Sequence, residues 1–189
     1  MKNYSVDTKT SWNEASRSGL ILGAVTSAYF VFGMLLDIVK GGTAVSVLSS
    51  VAGVLLWVAK FALCIYLMKF FMQKFAGRHP EADNSDTFRF GTRTALLSAL
   101  IYSAVYLAWL LFIQPDVFSA SVDMAIERYS ETFTEEQIEQ VRGVFSSLPA
   151  ITFFFNLVYC WLFGTLLSAI FSRNIPPRNP FAGGNAEEQ

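Results

Sequence analysis

One lysine stands apart in this sequence because it lies deep within a long apolar segment. Lys60 is the only charged residue well inside any of four apolar runs, and it lies in the second. An ammonium near the middle of a bilayer costs about 2.5–3.5 kcal/mol, and such residues usually face a cavity or a partner. Two interpretations remain open: Lys60 faces a functional polar pocket, or its long side chain reaches towards an interface.

Matching depths across an antiparallel bundle predicts which polar residues lie near Lys60. Asp37, the nearest acidic residue, is expected about 20 Å away along the helices, so it is a poor counter-ion. The residues at matching depth carry no negative charge, which favours a hydrogen-bonded or neutral lysine. The predicted intramembrane polar cluster is Lys60, Ser27, Tyr102, Ser103, Asn156 and Tyr159, with Cys160 close by. Asn156 has a simpler interpretation as an interhelical hydrogen-bonding residue.

The remaining reactive residue types do not form a catalytic or metal-binding pattern. The single histidine, His79, precedes several acidic residues without a zinc or calcium signature, and it is expected in a solvated loop. Both cysteines lie in apolar runs, where packing is their expected role. The sequence has neither a phosphate-binding loop nor a recognisable nucleophile with its base. We therefore expect no enzyme activity, no catalytic residue, no metal, no cofactor and no nucleic-acid binding.

The apolar runs predict the elements that position these residues. Their extents are Gly19–Leu36, Val45–Met72, Ala95–Ile113 and Ile151–Phe171, and a bilayer needs about 20 helical residues per span. With 53% hydrophobic residues and 18 Phe among 189 residues, the chain is predicted to be an all-α integral membrane four-helix bundle. Expected spans are about 19–39, 46–73, 92–113 and 150–171 in a domain 19–173, between segment 1–18 and a disordered tail 174–189.

The distribution of charge predicts how the bundle is oriented. Ten basic residues fall before span one, around the connection of spans two and three, or after span four: Lys2, Lys9, Arg17, Lys69, Lys74, Arg78, Arg89, Arg93, Arg173 and Arg178. The opposite connections hold only Lys40, Arg128 and Arg142, with seven acidic residues between Asp116 and Glu139. The positive-inside rule then places both termini in the cytoplasm, and in a bacterium this means the inner membrane.

The connection between spans three and four is predicted to form an external pair of amphipathic helices, about 117–147. Its apolar residues recur at helical spacing, and Thr134-Glu-Glu-Gln137 matches a capping box at the start of the second helix. Small residues at Gly19-x-x-x-Gly23 and Gly164-x-x-x-Ser168 favour close helix packing, either within the bundle or between subunits.

This layout resembles a known bacterial membrane family. The resemblance rests on four spans, Phe88-x-Phe90-Gly91 before span three, Tyr102 and Tyr106 within it, Gln114-Pro115-Asp116 after it, and the acidic external helices. Over roughly residues 10–173 the chain is similar to the family called domain of unknown function 4199 (DUF4199). The resemblance implies an inner-membrane protein of a double-membraned bacterium, and it implies no activity.

Two functional hypotheses follow. The first is a non-enzymatic accessory or scaffold subunit, which engages a membrane or periplasmic protein through its external helix pair, because this excursion is longer than a plain connection requires. The alternative is a small oligomeric transporter or channel in which Lys60 faces a polar pathway for an anion. The expected partners are therefore the lipid bilayer, a second protein, or further copies of the chain.

Overall fold

Four long helices account for most of the described chain. A computed structural model describes residues 6–38, 43–113, 120, 124, 126–128 and 134–175. The helices are α1 (Thr8–Ile38), α2 (Thr43–Arg78), α3 (Asn84–Phe112) and α4 (Glu135–Asn174). Each contains a stretch long and apolar enough to cross a membrane: Thr8–Leu35, Ser50–Arg78, Asn84–Phe112 and Ser147–Asn174. The predicted all-helical, four-span membrane architecture is confirmed. The predicted disordered tail and most of the first external helix lie outside the described residues.

Local side-chain chemistry sets the helix ends. α2 ends at Arg78, two residues before Pro80, which disfavours helix in the residue preceding it. Asp83 then caps α3, since its carboxylate accepts a hydrogen bond from the Asp86 amide at 2.6 Å. At the start of α4, Thr134 and Gln137 form the capping box that their spacing predicts. α4 continues without interruption through Pro149 into the fourth span.

Small residues bring α3 close to both of its main neighbours, α1 and α4. A methyl group added to Gly164 would overlap the side chain of Ala95, and one added to Gly91 would lie 2.9 Å from Cβ of Ser168. One added to Gly23 would lie 2.9 Å from Cβ of Ile101. Both small-residue patterns therefore make contacts within the bundle, the first of the two interpretations that the sequence left open.

α2 is held differently from the other three helices. It packs mainly against α1, and its contacts with α3 and α4 are less extensive. Large apolar side chains on its outer face, including Val54, Leu55 and Trp57, are more than half exposed. In a membrane protein such side chains face lipid. The closely packed part of the bundle is therefore α3 with α1 and α4 on either side of it, and α2 packs less extensively against these helices.

The apolar core is concentrated at the end where α1 and α3 begin and α2 and α4 end, here called the basic end. Phe75 and Phe90 are almost fully buried there, and their rings stack with centroids 4.2 Å apart. Both Val6 and Ile175 pack against this core. The first and last described residues of the chain therefore lie at the same end of the bundle.

The connection between α2 and α3 is short, and it leaves the histidine only partly exposed. The His79 ring packs on Phe75, and only 16% of its side chain is exposed. Its nitrogens lie 3.4 Å from Glu14 and 3.1 Å from Glu81. His79 lies in the connection, as predicted, but it is only partly exposed, because α2 extends further than its apolar run and places His79 beside α1.

Candidate functional site

A pocket that combines several polar groups with a mostly apolar wall lies between the four spans, and it is called the polar pocket below. Its volume is about 300 Å³, and every one of the four helices contributes to its wall. The polar side chains in this wall come from α1 (Thr26), α2 (Lys60 and Cys64), α3 (Ser98 and Tyr102) and α4 (Asn156, Tyr159 and Cys160). Apolar side chains, among them Leu22, Met68 and Leu167, complete it.

Lys60 lies against an aromatic ring of α3. Its ammonium nitrogen is 4.6 Å from the centroid of the Tyr102 ring, within the range of a cation–π interaction. Lys60 is half-buried, and its amine points across the pocket towards α3. This geometry favours the polar-pocket interpretation over a side chain that extends along the helix towards an interface.

The structure brings together four of the six residues of the predicted cluster. Lys60, Tyr102, Asn156 and Tyr159 line the pocket, whereas Ser27 and Ser103 do not. Both serines are buried, and their hydroxyls have no hydrogen-bond partner within the described part of the chain. They follow Thr26 and Tyr102 directly, and successive helical residues point about 100° apart. Matching depths across the bundle therefore predicted how far along their helices the two serines lie, but not which side of the helix they occupy.

Sequence reasoning missed some of the lining residues. Cys64 follows Lys60 by four positions, and Ser98 precedes Tyr102 by four, so each shares a helix face with a residue already in the cluster. That spacing could have identified both. Thr26 also lines the pocket, but its hydroxyl lies 3.0 Å and 2.9 Å from the carbonyls of Leu22 and Gly23 and donates within its own helix.

The pocket opens on the side where α2 and α4 are least closely packed. Trp57 and Tyr159 both line it, and about two thirds of each side chain is exposed. Phe61 also lines it, and its ring packs on Phe163 of α4 at 5.2 Å between centroids. Because these exposed faces contact lipid in a membrane, the pocket communicates with the bilayer between α2 and α4.

The electrostatics of the pocket favour an anionic ligand. Among the described residues that line it there is one ammonium and no carboxylate. A desolvated cation–π contact contributes about 2 kcal/mol, which offsets much of the roughly 2.5–3.5 kcal/mol cost of placing a lysine at mid-membrane. The remaining deficit would be met by an anion at Nζ. Hydroxyl and amide groups of Tyr102, Tyr159 and Asn156 offer hydrogen-bond donors around it.

Comparison with models of protein families gives a match that covers most of the chain. A family model described as "Protein of unknown function (DUF4199)" matches residues 17–173. No curated protein and no solved structure matches the chain.

Proposed function

Since the chain belongs to the DUF4199 family of proteins of unknown function, we propose its role from its own geometry: a non-enzymatic accessory or scaffold subunit of a bacterial inner membrane. In this proposal both termini lie in the cytoplasm. A membrane or periplasmic partner binds the opposite end of the bundle, through the outer part of α4 and the segment before it.

The distribution of charged residues supports this orientation. Eight of the described cations that flank the spans lie at the basic end, whereas Arg142 of α4 lies at the opposite end; the eight are Lys9, Arg17, Lys69, Lys74, Arg78, Arg89, Arg93 and Arg173. An excess of Lys and Arg near the ends of spans marks the cytoplasmic side of a membrane protein. The opposite end, where α4 begins, then projects into the periplasm.

One observation carries the proposal of a docking function: α4 is much longer than its span. The helix begins at Glu135, whereas the apolar run of the fourth span begins at Ile151, so about 24 Å of helix precedes the run. The described side chains from Glu136 to Ser147 are exposed, including Val144 at 60%. A rigid, exposed helix costs little to order on binding, and this favours its use in recognition.

The chemistry of the extension indicates the kind of partner. Glu135, Glu136 and Glu139 lie in its first turns, and four more acidic residues lie between Asp116 and Glu131, just before it. Complementary charge steers association and excludes like-charged partners. We therefore expect a partner with a basic surface beside an apolar patch that accommodates Val144.

The test is co-purification from native membranes in a mild detergent, followed by mass spectrometry. Deletion of 122–145 should abolish recovery of a stoichiometric partner while leaving membrane insertion intact. Truncation after Ile175 is the matched control, since it removes chain at the opposite end and should retain the partner. Unchanged recovery after the deletion would rule out docking through this segment.

The pocket supports a second candidate, an oligomeric transporter or channel for anions with Lys60 on its pathway. The supporting observation is that Nζ of Lys60 lies inside a polar cavity free of carboxylates among its described lining residues. In proteoliposomes, Lys60→Met should abolish anion flux, whereas Lys69→Met, which removes a charge from the exposed end of the same helix, should not. Absence of flux in the unmodified protein would reject this candidate.

A further inference from the structure

A second cavity lies at the basic end of the bundle, apart from the polar pocket. It is a cleft of about 680 Å³ between the beginning of α1 and the end of α2, with Phe90 of α3 at its base. Its lining combines basic, neutral polar and aromatic residues: Lys9, Thr10, Asn13, Glu14, Arg17, Ser18, Ile21, Phe71, Lys74, Phe75, Arg78 and Phe90. The cations of this cleft are among the basic residues that predict the orientation of the chain in the membrane.

The cleft has a large excess of positive charge. Four of its lining residues are cations, and Glu14 is the one carboxylate among them. That carboxylate lies 3.6 Å from Arg78 and 3.4 Å from His79, so it is shared between two neighbours. Among the described residues, Lys9, Arg17 and Lys74 have no carboxylate within 4.0 Å. Three of the cations that line the cavity therefore have no carboxylate partner among the described residues.

The cleft is also amphipathic along its length. From Lys9 to Ile21, α1 rises by about 18 Å, from the polar beginning of the helix into the apolar run that starts at Gly19. Ile21 and Phe71 lie within the apolar runs of α1 and α2, whereas Lys9, Lys74 and Arg78 lie closer to the helix ends. A ligand that fills it would have an anionic head beside the basic side chains and an apolar portion directed into the membrane.

We propose that this cleft binds the phosphate headgroup of an anionic membrane lipid. Guanidinium groups bind phosphate through paired hydrogen bonds, and lysine adds a point charge. Basic pockets between helices on the cytoplasmic side have the chemistry to hold such headgroups. The same cations would also attract a free phosphate compound, but the apolar lining residues favour a ligand with acyl chains. This site is independent of partner docking at the opposite end of the bundle.

The test uses native mass spectrometry of the purified full chain in a neutral detergent at about 0.15 M salt, where long-range attraction is screened beyond about 8 Å. Phosphatidylglycerol is titrated in one arm and zwitterionic phosphatidylcholine in a second. Soluble glycerol phosphate, which has the head but no acyl chains, forms a third arm. The variant is Arg17→Gln with Lys74→Gln. Its matched control is Lys69→Gln with Arg89→Gln, which removes equal charge from exposed positions outside the cleft.

The proposal expects phosphatidylglycerol to bind preferentially and the cleft variant to weaken it about ten-fold or more, the effect of losing charge-assisted hydrogen bonds. The control pair should change affinity less than about two-fold under these screened conditions. Glycerol phosphate binding as tightly as the lipid would overturn the lipid assignment in favour of a free phosphate. Equal loss in both variants, or no preference between lipids, would overturn the site itself. Circular dichroism of each variant checks that the bundle remains folded.

Discussion

The contact between α3 and α4 makes a quantitative prediction about Gly164. In Gly164→Ala the new methyl group would overlap Cβ of Ala95, whereas two carbon atoms prefer a separation of about 3.5–4.0 Å. The helices must move apart by about an ångström or distort locally. Such overpacking costs about 1–3 kcal/mol. Replacing a helical glycine recovers up to about 1 kcal/mol, so the net destabilisation should reach up to about 2 kcal/mol. Compared with the same substitution at an uncrowded glycine, the variant should be less stable by the full overpacking cost of about 1–3 kcal/mol.

Gly53→Ala provides a matched control, because it should change the free energy of unfolding in the opposite direction or not at all. Gly53 lies on α2 with no atom within 4 Å of an added methyl group. The same substitution there should be neutral or stabilise the protein by up to about 1 kcal/mol. Both variants would be unfolded reversibly in mixed micelles of increasing denaturing detergent, with loss of helicity as the signal. If Gly164→Ala proved as stable as Gly53→Ala, the close α3–α4 contact would be wrong.

Two further predictions concern a helix cap and the buried lysine. Asp83→Ala should lower the free energy of unfolding by about 1 kcal/mol, because the hydrogen bond to the Asp86 amide is lost; Asp83→Asn should retain most of it in the same assay. Lys60→Met should raise the free energy of unfolding by about 1 kcal/mol, because a mid-membrane ammonium costs about 2.5–3.5 kcal/mol and its contact with Tyr102 returns only about 2 kcal/mol. A large loss of stability in Lys60→Met would instead assign the lysine a structural role.

The spans were predictable from sequence because a helix that crosses lipid needs a continuous apolar run, and such runs are evident in the sequence. The capping box at Thr134 was predictable because it depends on residues only three positions apart. The start of α3 at Asn84 was not, because its first turns lie outside the apolar run and carry Asp86 and Arg89. Hydropathy detects a membrane span, but it does not detect the part of a helix that continues beyond the membrane.

The sequence predicted the depth of the site residues along their helices, but not which face of each helix lines the pocket. Counting residues from the ends of the spans placed Tyr102 and Asn156 at the depth of Lys60, and both line the pocket. It also placed Ser27 and Ser103 there, although their neighbours in sequence face the pocket instead. Helix rotation depends on which faces pack together. In this bundle the small residues Gly23, Gly91 and Gly164 lie on the helix faces that pack together. Their positions in the sequence could therefore have indicated which side of each helix faces its neighbours.

The looser packing of α2 makes the protein responsive to the thickness of its membrane. α2 has 36 residues, a length of about 54 Å, against a hydrocarbon core of about 30 Å. A thinner bilayer favours greater tilt of a long helix, and α2 is the helix with the fewest constraints on tilting because α3 holds α1 and α4 closely. Since Lys60 lies on α2 and Tyr102 on α3, a change in the tilt of α2 would change the distance between them, and that distance would report hydrophobic mismatch.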